Sequence, residues 1–182
     1  MTVRPSLGPT INALPIFSAL TMAEAEDLGT HCQVVRLDDG ERLFSEGDAA
    51  ADLFVVISGQ LRVSCKGPEG VEVVVGMVGA GDVVGEMGVL DPAPRSATTT
   101  SLGGTVALRL AGVAFSAMID TGHPAAWSII REIRREACAR MRTVDARLDA
   151  LFHVEPTPQE SSSGGGLAER VRAVWLALRG TV

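Results

Sequence analysis

The residues best suited to chemistry in this 182-residue chain lie between Gly79 and Thr100. Gly85, Glu86, Met87, Gly88 and Val89 can form a tight turn that enters one helical turn. Glycines there let the backbone come close to a ligand. Free N–H groups at such a helix start point at an anion and favour negative charge. Arg95 adds a planar cation suited to a phosphate diester, and the Ser96 hydroxyl adds a donor. Glu86 is the odd member, because a carboxylate repels a phosphate. It fits if it accepts a hydrogen bond from a hydroxyl beside the phosphate, such as a ribose 2′-OH. The set points to an anion cradle with one hydroxyl-reading group.

The same glycines permit a second reading, a dinucleotide fingerprint, since Val73–Val75 precede Gly76, Gly79, Gly81 and Gly85. The context fails. Val84 stands where the third glycine belongs, and Pro92 and Pro94 would cut the following helix short. Thr98, Thr99 and Thr100 occupy the place of the acidic residue that should end a second strand. Catalytic constellations are also missing: His31, His123 and His153 lack metal-ligand spacing, and there is neither a nucleophile elbow nor a catalytic carboxylate pair. The expectation is a binding protein, with no catalytic residue, no metal and no cofactor. Cys32, Cys65 and Cys138 are odd in number and far apart, which reads as reduced thiols packed as small hydrophobes.

The elements that must hold the cradle are short strands. Runs at Val34–Leu37, Leu53–Ile57, Leu61–Cys65, Val71–Val78, Thr98–Ser101 and Thr105–Leu110 are separated by Gly- and Asp-rich turns. Even spacing of this kind predicts an all-β barrel or roll over about 33–110, with too few helices between strands for a parallel sheet. Thr21 and Glu24 form a capping-box pattern ahead of a helix over Met22–Gly29. Residues 1–13, broken by Pro and Gly, are expected to be loose. After Ala111 the pattern turns helical, with a short helix over 112–120 and a long one from Pro124 to Phe152. Two apolar series run along the long helix at heptad spacing. They are Ile130, Ala137, Val144 and Leu151, and Trp127, Met141 and Leu148, the second interrupted by Arg134. That is a seam able to pair with a second copy in a homodimer; packing on its own barrel is the alternative. Residues 153–166 read as a flexible linker. An amphipathic helix in 167–182 follows, which could dock back or bind a partner or surface.

Composition sets limits on the whole. Hydrophobic residues make up 46% and charged residues 21%, which suits a globular chain. The net charge of −6 lacks the basic excess of a free nucleic-acid binder. No signal peptide and no membrane span are visible, so a cytoplasmic location is expected.

The segment Gly85-Glu86-Met87-Gly88-Val89, followed by Pro94-Arg95-Ser96-Ala97, resembles the phosphate-binding cassette of the cyclic-nucleotide-binding domain family. Catabolite activator protein and protein kinase A regulatory subunits belong to it. Upstream, Gly40-Glu41, Glu46-Gly47-Asp48, the run Asp52–Gly59 and Leu61-Arg62-Val63 match the family's strand and turn pattern, so the resemblance covers about Leu14 to Phe152. It implies a mainly β fold with flanking α: a double-stranded β-helix, or jelly-roll-like β-roll, followed by a long C-terminal helix. It implies that Glu86 binds the ribose 2′-OH and Arg95 the cyclic phosphate. Ser96, Ala97, Gly88 and the backbone of Gly85, Glu86 and Met87 complete the site. Ser96 followed by Ala97 favours cAMP over cGMP, and Arg142 and Thr143 lie near the family's base-covering position. Family transcription factors carry a helix-turn-helix after the long helix. The short segment beyond Phe152 does not provide one, so direct DNA binding is not expected and an effector protein would read the signal. The rival reading is a ligand-free β-roll used as a scaffold.

Overall fold

A computed structural model of the chain describes residues 6–67, 70–91 and 93–152, with side chains up to Leu148. The expected linker and the helix in 167–182 lie outside the described residues. Two compact units divide the chain, one reaching to Arg135 and one beginning at Glu136.

The first unit opens with α1 (Gly8–Asn12), a 3₁₀ turn (Pro15–Phe17) and α2 (Met22–His31). α1 lies where the sequence suggests a loose segment. Pro9 sits in its first turn, where a missing N–H costs nothing, and Ile11 is fully buried in the core. α2 starts as expected: Thr21 accepts the Glu24 N–H at 3.3 Å, and Glu24 accepts the Thr21 N–H at 2.8 Å. The chain then passes into β1 (Cys32–Leu37), β2 (Arg42–Phe44), β3 (Asp52–Lys66), β4 (Glu72–Val78) and β5 (Val83–Val84). α3 (Met87–Leu90), β6 (Thr98–Ala111), α4 (Gly112–Asp120) and α5 (Pro124–Phe152) complete the order.

Two long strands organise the sheet. β3 and β6 run antiparallel along their whole length, with register shifts between Val56 and Gln60. The sequence divides each of them in two, at Ser58-Gly59 and Leu102–Gly104; the structure makes each one continuous strand with a bend. The bend needs glycine. Gly59 has φ +86°, and a Cβ on it would run into the Gly104 carbonyl of the facing strand. On one side of the bend, β1 adds to β6 and β5 to β3, giving the half-sheet β1-β6-β3-β5. On the other side β2 adds to β6 and β4 to β3, giving β2-β6-β3-β4. Two half-sheets folded from shared strands make the β-roll.

Alternation along β3 sorts its side chains. Leu53 and Val55 join Leu108, Leu110, Phe17, Leu28, Phe115 and Ile129 in a core between the first half-sheet and the helices. Phe54, Val56 and Leu61 turn inward with Leu37, Val78, Val84 and Ala107. Each such buried aliphatic side chain contributes about 1.5–3 kcal/mol. α5 starts against this core: Ala125, Ala126 and Ile129 are buried, and Ile130 and Ile133 pack on the cluster. Ile130, a member of the expected dimer seam, is thus committed in part to the protein's own roll. Trp127 stays exposed. His123 caps this start, accepting the Ala125 N–H on Nδ1, while its Nε2 lies 3.1 Å from Asp27 on α2.

In the second unit, α5 continues to Phe152 with Met141 and Val144 exposed and Arg140 paired with Glu136 at 3.0 Å. No described helix is long and apolar enough to cross a membrane.

Candidate functional site

The cradle forms where β5 ends. Gly85 has φ +81°, and a Cβ there would strike the Arg95 guanidinium, so the backbone turn and the seat for the cation both require glycine. Glu86 caps α3 through its backbone, its carbonyl accepting the N–H groups of Val89 and Leu90. The N–H groups of Glu86, Met87 and Gly88 have no acceptor among the described residues, as the first turn of a helix dictates. Gly88 packs on Ala50, where a Cβ would clash. This fixes α3 against the loop that leads into β3.

Arg95 folds back into the roll. Its Nη1 donates to the Gly85 carbonyl and its Nη2 to the Asp52 carbonyl, both at 2.7 Å. The guanidinium lies 4.2 Å from the centre of the Phe44 ring and 5.8 Å from that of Phe54. Only 7% of Arg95 is exposed. Its Nε is buried with no partner among the described residues, so one N–H of the guanidinium is unpaired. Burial lowers the Arg95 pKa from its usual value, and the charges of Asp52, Glu86 and Asp48 oppose that shift. The backbone on either side is also held. Arg95 N–H donates to the Asp48 carbonyl, and Gly47 N–H donates to the Arg95 carbonyl, both at 2.8 Å. The Glu46-Gly47-Asp48 turn and the Pro94–Ala97 arm are thus joined by two backbone hydrogen bonds.

The other expected residues fall around this cation. Glu86 is 9% exposed, buried within reach of the Arg95 charge. Met87 is exposed, and the Ser96 hydroxyl lies on the open side, 3.6 Å from the Met87 sulfur. Ala97 is buried. The structure thus brings Gly85, Glu86, Met87, Gly88, Arg95, Ser96 and Ala97 to one end of the roll. Arg142 and Thr143 are exposed on α5 in the second unit, where the Thr143 hydroxyl donates to the Ala139 carbonyl at 3.1 Å.

Other groups escaped the sequence reading. Phe44 and Phe54 frame the guanidinium, and their spacing of ten residues carries no local signal. Cys65 on β3 approaches the Ser96 carbonyl at 3.5 Å, and Val73 on β4 is its register partner. Val63, two residues earlier on the same strand face, packs against the inner cluster. Val73, the register partner of Cys65, is exposed beside it. A valine in a strand gives no sign of this placement in the sequence.

The comparisons agree with this geometry. Residues 34–121 match the family profile described as "Cyclic nucleotide-binding domain". Over 103 residues the chain is 33% identical to a cAMP-dependent protein kinase regulatory subunit from Mycosarcoma maydis, covering 57% of this chain and 19% of that protein. Over 87 residues it is 29% identical to a CRP-like cAMP-activated global transcriptional regulator from Mycobacterium tuberculosis, covering 48% of this chain and 39% of the regulator. The chain therefore spans well under half the length of either relative. Among solved structures, catabolite activator protein from Thermus thermophilus superposes with a TM-score of 0.64 at 27% identity, over 76% of this chain and 63% of that one. Residues 34–121, which hold the roll and α4, match the cyclic-nucleotide-binding domain family.

Proposed function

We propose that this chain is a receptor for a cyclic nucleotide, cAMP in preference to cGMP, and that it works without catalysing a reaction. The observation that carries this reading is Arg95, buried on two aromatic rings, bound to two carbonyls, and left with an unpaired Nε–H, near the N–H groups of Glu86–Gly88 that have no acceptor among the described residues. A cyclic phosphodiester offers two free oxygens and one negative charge, which this set of donors satisfies. Glu86 takes the ribose 2′-OH, and Ser96 adds a donor to the phosphate. The base lies toward Cys65 and its exposed register partner Val73. The Ser96-Ala97 pair lacks the Thr that would favour guanine, and both curated relatives carry cAMP in their names.

The signal has a physical route. A Cβ placed on Gly112, the first residue of α4, would sit 3.2 Å from Val89 of α3, so the cassette helix and α4 touch. Movement of α3 toward the ligand would reach α4 and the turn at Thr121–His123, altering α5. α5 would pair with a second copy, the exposed Trp127, Met141 and Val144 supplying an apolar face. A separate effector protein would read the change.

Titration calorimetry with cAMP, cGMP and acyclic AMP tests the reading. One site per chain, with cAMP tightest and AMP weakest, is expected. Absence of binding to either cyclic nucleotide at millimolar concentration would refute it.

A further inference from the structure

The Asp52 carbonyl is one of the two groups that hold Arg95, and Asp52 is itself held. Its carboxylate lies 2.6 Å from Nη2 of Arg109 and accepts from Nε of the same guanidinium at 2.8 Å. Asp52 opens β3, and its side chain is 14% exposed, while that of Arg109 is 46% exposed. Arg109 is the β6 register partner of Phe54, whose ring faces Arg95. Directly paired residues of antiparallel strands share a face, so Phe54 and Arg109 stand on the same side of the sheet as Asp52, two residues before Phe54. Three groups are therefore linked in line: Arg109 to the Asp52 carboxylate, the Asp52 backbone to Arg95, and Arg95 to the cradle.

We propose that Arg109 is a positioning residue for nucleotide capture: by clamping Asp52 it fixes the carbonyl that orients the Arg95 guanidinium. This rests on the reading of Arg95 as the phosphate ligand. Two carbonyls, of Gly85 and Asp52, set the plane of the guanidinium and so the direction of its unpaired Nε–H. The Gly85 carbonyl sits in a turn that must adjust when α3 engages a ligand, whereas the Asp52 carbonyl belongs to the first residue of a central strand. Strand ends fray, and Asp52 and Ala111 form the last register pair of β3 and β6. The ion pair with Arg109 ties this end down. A partly exposed pair contributes little to global stability, but a guanidinium held in place before the ligand arrives loses less freedom on binding.

The test has two arms. In the ligand-free protein, nuclear magnetic resonance should show slow rotation of the Arg95 guanidinium, and Arg109→Gln should release it. With cAMP, Arg109→Gln should weaken binding about fivefold, a modest positioning effect, and Arg109→Lys should restore part of it. Arg36→Gln, which removes the same charge from an exposed site on β1, should leave affinity unchanged. In an Arg95→Lys background, Arg109→Gln should have no further effect. Equal Arg95 rotation in the wild type and Arg109→Gln would overturn the proposal. So would an equal loss of affinity in the Arg95→Lys background, which would mean a long-range charge effect. If the wild type bound no nucleotide while Arg109→Gln still freed Arg95, the ligand reading would fail and the clamp would stand.

Discussion

The two half-sheets of the roll are built from the same two strands and have opposite characters. Where β1 and β5 flank them, β3 and β6 present Leu53, Val55, Leu108 and Leu110 to the helices, all nearly inaccessible to water. Where β2 and β4 flank them, they carry a Thr99 hydroxyl and an Arg62 Nε without partners among the described residues, and a β4 edge on which Val73, Val74, Val75 and Met77 are exposed. Arg95 sits near the seam, stacked on Phe44 of one half and Phe54 of the other. The helix-facing half packs the core and also supplies the Gly85 and Asp52 carbonyls that seat Arg95, while the other half is the more exposed one.

The comparison can be broken most severely in the helix-facing half. Leu53→Ala should cost about 2–5 kcal/mol of unfolding free energy, as for other buried leucines. Urea unfolding measures it, and the folded fraction should keep its nucleotide affinity. Arg95→Ala should do the reverse. Truncating a buried hydrogen-bonded charge costs about 2–5 kcal/mol of binding, while the urea midpoint should move little. The two carbonyls and the rings remain after Arg95→Ala, so the small urea shift expects relief of a buried, incompletely paired cation to offset the two lost hydrogen bonds. Calorimetry beside urea unfolding gives both numbers. If Arg95→Ala unfolded the protein as readily as Leu53→Ala, the division between the halves would be false.

Gly59→Ala attacks what the halves share. It places a Cβ against the Gly104 carbonyl at a left-handed φ, a strain of about 1–3 kcal/mol. Both unfolding midpoint and nucleotide affinity should fall, because the bend sets the angle between the halves.

Thiol labelling gives the mildest contrast. Cys32, in the helix-facing half, has its pKa pushed up to about 12 by burial, so little thiolate is present at pH 8 and it should react slowest. The raised value also means that the contribution of Cys32 to stability is intact below about pH 9 and is lost as the pH rises toward 12, because the unfolded chain gives up its proton first. Cys65, beside the Ser96 carbonyl, should react faster, and cAMP should slow it. Mass spectrometry of alkylated peptides reads both rates.

The cassette could be read from the chain because its chemistry is local. Gly85, Glu86, Arg95 and Ser96 are close in sequence, and their types restrict what they can do. The capping box at Thr21 and Glu24 and the starts of α4 and α5 were legible for the same reason. Long-range partners were not. β3 and β6 look like four strands because Gly59 and Gly103-Gly104 read locally as turns; only their mutual pairing turns them into bends. Pro9 reads as a breaker, yet the burial of Ile11 makes it the first turn of α1. Heptad spacing cannot say whether Ile130 faces a second copy or the roll, and Ile130 packs in part on the roll. The carbonyls of Gly85 and Asp52 that hold Arg95 leave no trace in residue type.

The central claim is that Gly85–Ala97 closes on a cyclic phosphate, and amide hydrogen exchange of that segment tests it most directly. The N–H groups of Glu86, Met87 and Gly88, which have no acceptor among the described residues, should exchange fast in the free protein. Saturating cAMP should slow them by at least about tenfold, with the β1 amides unchanged. Binding of cAMP that left these three amides exchanging as before would place the nucleotide elsewhere and contradict the account.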